Sequence, residues 1–151
     1  MFRKKMLFMT LLALLFLLTA CGKKPASTID VSMFDNIQSG TIFSFTEDKL
    51  FYPTDEETDT VVKLLVEDLS LAQEQRGSPQ GIPIFTFILD NIDDNQQLQI
   101  AVIEGRDELL LTYTADTNNA ADKAYFHLQS TALREYMETL YEEILADPFR
   151  W

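Results

Sequence analysis

Apolar residues in this chain recur with two different periods, and the switches between them mark out most of the secondary structure. From Thr54 to about Gln73, the residues Val61, Leu64, Leu65, Val66 and Leu69 follow the 3.6-residue period of a helix buried along one stripe. Thr54 and Glu57 have capping-box spacing, in which the hydroxyl accepts from the third helical amide and the carboxylate reaches back to the cap. Gly77 and Pro79 close the segment. A second helix is predicted after Ser130. Its buried stripe is Leu133, Tyr136, Met137, Leu140, Tyr141 and Ile144, and Asp147-Pro148 stops it.

Elsewhere the period is two. Ile29, Val31 and Met33 alternate with polar residues and predict a first strand; after a turn at Ser39-Gly40, the β-branched and aromatic run Thr41–Thr46 predicts a second. Residues 84–89 are apolar on both faces, as in a central strand covered on each side. Leu98, Ile100 and Val102 alternate with Gln97, Gln99 and Ala101 up to a turn at Gly105-Arg106. With that turn as the loop centre, Val102 faces Leu109, Ile100 faces Leu111 and Leu98 faces Tyr113. A one-residue slip would destroy this match. Residues 123–128 predict another strand.

The resulting order, β-β-α-β-β-β-β-α, predicts an α+β fold with an antiparallel sheet of about four to six strands and two helices. Ala101, Ile103 and Leu110 fall on the face opposite the main core, and the final helix is expected to cover them. If it does not, an exposed apolar patch of several hundred Å² marks a peptide or protein site.

The 13-residue apolar stretch Met6–Leu18 changes the picture of where the chain works. It is shorter than the roughly 20 residues of a membrane-crossing helix, and it follows the basic Arg3, Lys4 and Lys5, as the core of a secretory signal peptide does. At its end stands Leu18-Thr19-Ala20-Cys21, which holds the one cysteine of the chain. This motif resembles the lipobox of bacterial lipoproteins. The resemblance implies that the Cys21 thiol receives a diacylglyceryl group, that the leader is cut before it, and that the new amino terminus is often acylated. It covers residues 1–22. In overall layout the remainder resembles small Gram-positive lipoproteins of unassigned function, a likeness that carries no site residues over.

The expected organisation is a signal peptide over 1–20, a lipidated tether over 21–29, and a single acidic α+β domain over 30–151. The expected location is the cell membrane, lipid-anchored on the extracytoplasmic side. Two or more acyl chains give durable attachment. Losing the leader's three positive charges takes the net charge from -12 to -15, leaving 24 carboxylates against nine basic residues. Such a domain repels nucleic acid and favours a basic protein or peptide as partner. With no second cysteine, the domain holds no internal disulfide and depends on its core.

Candidate chemistry is sparse. His127 is the lone histidine and reads as a partly exposed strand residue; one histidine does not supply the several ligands of a structural zinc site. There is no Gly-x-Ser-x-Gly elbow, and the one thiol is reserved for lipid. The acidic loop 90–95 offers oxygen ligands to a cation, but Ile92 occupies a position where an EF-hand needs oxygen, and Asp and Asn favour turns on their own account. Asp55, Glu56, Glu57 and Asp59 complement the positive end of the first helix without any ligand. No catalytic residue, cofactor or metal is expected. The reading favoured is a non-catalytic binding or interaction module displayed at the membrane. The alternative is a small envelope enzyme using paired carboxylates, distinguished by a cleft holding two convergent carboxylates.

Overall fold

A computed structural model describes residues 28–119, 123–147 and Phe149. The expected leader, Cys21 and most of the tether lie outside the described residues. Among those described, no helix is long and apolar enough to cross a membrane.

The fold is α+β. Seven strands, β1 (Ser39–Ser44), β2 (Lys49–Phe51), β3 (Gln73–Gln75), β4 (Pro83–Asn91), β5 (Gln96–Ile103), β6 (Leu109–Thr114) and β7 (Lys123–Leu128), form one antiparallel sheet in the order β2-β1-β4-β5-β6-β7-β3. Two helices, α1 (Asp55–Asp68) and α2 (Thr131–Ala146), complete it. The hairpin register is the one the apolar pairs require: Val102 opposite Leu109, Ile100 opposite Leu111, Leu98 opposite Tyr113. All six of these side chains are buried. Residues 84–89 do lie in an interior strand, β4, between β1 and β5.

Helix α1 starts where its capping box puts it. Glu57 N donates to Thr54 Oγ1 at 3.3 Å, and Thr54 N donates to Glu57 Oε2 at 2.7 Å. Ser130 caps α2, accepting from Leu133 N at 3.3 Å. The two helices lie on the same face of the sheet. Gly40 on β1 runs so close beneath α1 that a Cβ added there would meet both Cγ2 and Oγ1 of Thr58. Four residues along the same face, Ser44 meets Tyr141 of α2, and the Tyr141 ring stacks on Phe85, which pairs with Ser44. Between helices and sheet, Ile42, Phe85, Phe87, Leu98, Ile100 and Leu111 are at most 1 % exposed. Each such side chain contributes about 1.5–3 kcal/mol by leaving water.

Three expectations need correction. The segment Ile29–Met33 is not a strand; Val31–Asn36 forms a 3₁₀ helix. Asp30 caps it, its Oδ1 accepting from Ser32 N at 3.0 Å and Ser32 Oγ at 2.7 Å. Ile29 and Met33 are buried while Val31 is 53 % exposed, so burial here recurs at four residues and not at two. The first helix ends at Asp68, five residues early; a 3₁₀ turn, Leu69–Leu71, then leads into β3. The strand count exceeds the expected four to six because β2 and β3 have three residues each, too few to show an alternation.

Candidate functional site

A fourth correction concerns coverage. With both helices on one face, neither covers the face that carries Ala101, Ile103 and Leu110. Part of it is shielded by a connection. Strand β3 lies at the edge remote from β4, so residues 76–82 must travel back past β7, β6 and β5. They pass against Ile103: a Cβ built on Gly81 would lie 2.6 Å from Ile103 Cγ2 and 3.8 Å from Arg106 Nε. Glu104 N donates to Ile82 O at 3.1 Å, tying this strap to the end of β5. Ile103 is accordingly 4 % exposed; Leu110 on the same face is 2 % exposed, and both stand outside the main core cluster.

The other end of the same face has no such cover. Phe43 and Phe45 project from β1 and its continuation in an edge-to-face pair, with ring centroids 4.7 Å apart. Leu50, the partner of Phe43 across the β1–β2 ladder, stands beside them. Phe45 is 48 % exposed and Leu50 49 %. The turn between β1 and β2 carries the exposed acids Glu47 and Asp48, the latter in the left-handed region with φ 52°. Among the described residues, β2 is the last strand of the sheet on this side. An apolar strip, an acidic turn and the last strand of the sheet thus adjoin one another. The sequence carried the signal: with Ile42 and Ser44 buried, Phe43 and Phe45 had to point the other way. The three-residue β2 gave no alternation from which Leu50 could be placed.

A second feature lies at the other edge, on the helix side. Ile29, Val31, Val66, Leu69, Ala72 and Phe126 line a cavity of about 510 Å³, with only the hydroxyl side chains of Thr28 and Ser70 adding polarity. Reading residues 29–33 as a strand concealed it.

The residues with chemical potential are not convergent. His127 is half-buried on β7, as expected, in a cleft of about 300 Å³ with Leu71, Gln73, Glu108 and Gln129. Its Nδ1 lies 3.2 Å from Glu108 Oε1, but out of line for a hydrogen bond, and Arg106 Nη1 donates to the same oxygen at 3.4 Å. That cleft is lined by one carboxylate, not two. The 90–95 loop is a hairpin turn: Asn91 Nδ2 donates to Met33 O and to Asp94 Oδ2, and Asp94 N donates to Asn91 Oδ1. Its side chains hold the turn and fasten it to the 3₁₀ helix. Asp30 is held below the ordinary carboxylate range by the hydroxyl and amide of Ser32, and it faces solvent as a cap. Among the described residues no group of three or more His, Cys, Asp or Glu is placed to hold a metal ion.

Protein-family models, curated proteins and solved structures offer no match to this chain. The functional reading therefore rests on the chain's own residues.

Proposed function

We propose that the chain is a bacterial lipoprotein, held on the extracytoplasmic side of the cell membrane by lipid on Cys21, whose domain is a non-catalytic binding module for a basic protein or peptide. The observation that carries the binding role is the uncovered strip Phe43, Phe45 and Leu50 beside Glu47 and Asp48 at the β2 edge. Large apolar side chains held in water on the last strand of the sheet suit an extended segment whose own side chains settle on the strip. The acidic turn and the mature net charge of -15 select a basic one.

The anchor is tested with Cys21→Ala, which should abolish membrane retention while leaving the domain folded, since the thiol serves lipid and not the core. Cell fractionation with mass spectrometry of the wild-type chain reads both; a wild-type chain without acyl groups would remove the anchor. The binding role is tested by association rate against salt. Screening over a Debye length of about 8 Å at physiological ionic strength should slow association with a basic partner. A profile flat in salt would sink the electrostatic part and leave the apolar strip alone.

A further inference from the structure

We propose that one acyl chain of the lipid on Cys21 lies in the 510 Å³ cavity between residues 28–31 and the end of α1. This rests on the anchored reading above. Thr28, within the expected tether, is itself part of the cavity wall. Thr28 stands seven positions after Cys21, and a chain extends at most about 3.6 Å per residue, so Cys21 stays within about 25 Å of Thr28. An acyl chain attached there is held near the cavity at an effective concentration of order millimolar, as for any short flexible linkage.

The lining suits a hydrocarbon and little else. None of its described lining side chains is charged, and its rim holds Val31 and Val66 at 53 % and 40 % exposure, large apolar groups that an occupant would remove from water. The volume falls within the roughly 300–1,000 Å³ of pockets that enclose a small ligand. An anchor of the lipobox type carries a diacylglyceryl group and often a third, N-linked chain. Two chains suffice for durable attachment, so in the form that carries the third chain one can leave the bilayer without releasing the protein. A bilayer pressed against the rim is the competing occupant, and the acidic domain disfavours it on an anionic surface.

The test uses the purified mature lipoprotein in nanodiscs of perdeuterated lipid, with protonated acyl groups on the protein. Its mass first establishes whether Cys21 is acylated. Isotope-filtered nuclear Overhauser contacts should then join acyl methylenes to the methyls of Ile29, Val31 and Val66. Val66→Lys, a change at an exposed helical position, should remove those contacts while acylation and membrane retention persist. An acylated protein without these contacts overturns the proposal and leaves the anchor standing. Contacts to bilayer lipid alone, seen with the labelling reversed, also overturn it. A mass without lipid overturns both readings at once. The wild-type contacts decide the matter even if the variant fails to fold.

Discussion

Tyr141 stacks on Phe85 with ring centroids 4.3 Å apart and interplanar angle 20°, while its hydroxyl lies 2.6 Å from Ser44 Oγ. One side chain thereby fastens α2 to both β1 and β4. The hydroxyl also lies 2.9 Å from Thr46 Oγ1, and Glu47 N donates to Ser44 Oγ at 3.1 Å, so the network ends at the acidic turn beside the open strip. Tyr141→Phe should cost about 0.5–1.5 kcal/mol, the net worth of a hydrogen bond. Tyr141→Ala, which also empties the stack, should cost about 3–5 kcal/mol. Urea denaturation of both variants checks the difference.

Gly40 permits the close passage of β1 beneath α1. Gly40→Ala puts a methyl against Thr58 and within 3.0 Å of Phe87 Cε1, and should destabilise by about 1–3 kcal/mol through overpacking. Thr58→Ala removes the obstructing atoms, so the double variant should be less destabilised than the sum of the two singles. A double-mutant cycle gives that coupling directly; strict additivity would mean that the approach is not close.

The β5–β6 hairpin was the part of the fold most legible from sequence, because both strands alternate over several residues around one turn and only one register buries all their apolar side chains. Ile100→Ala or Leu111→Ala should each cost about 2–5 kcal/mol through lost burial and the cavity left behind. Calorimetric melting of the two variants reads this. The caps at Thr54 and Ser130 were legible for a similar reason, since a hydroxyl at fixed spacing before an apolar stripe has one local use. What was not legible depended on contacts made outside the segment itself. Strands β2 and β3 exist because β1 and β7 offer them edges, not because three residues carry a pattern. The side of the sheet taken by α2 is decided by Gly40, Ser44 and Phe85 accepting the helices, which no period along α2 expresses. The alternation of β1 turns Phe43 and Phe45 away from Ile42 and Ser44, but that they stay open follows from the side the helices take.

The acid limb offers a further check. Asp30 is held below its ordinary pKa by the hydroxyl and amide of Ser32, so its contribution to the 3₁₀ helix is present above the unfolded value of 3.8 and is lost as pH falls through the lower folded value. NMR titration of the Asp30 carboxyl should give a midpoint below that of an unstructured aspartate, and Ser32→Ala should move it upward. An unchanged midpoint would mean that the cap bonds do not hold in solution.

The central claim is that the strip at the β1–β2 edge, and not the helical face, meets the partner. A photo-reactive p-benzoylphenylalanine placed at Leu50 of the anchored protein in intact cells, and separately at exposed Glu142 of α2, tests it most directly. Irradiation should yield a crosslinked polypeptide from position 50, absent when Phe45→Ser accompanies the label, with a Lys- and Arg-rich segment at the crosslink by peptide mass spectrometry. No equivalent product should form at position 142. Crosslinks from position 142 alone, or an acidic segment at position 50, would contradict the account.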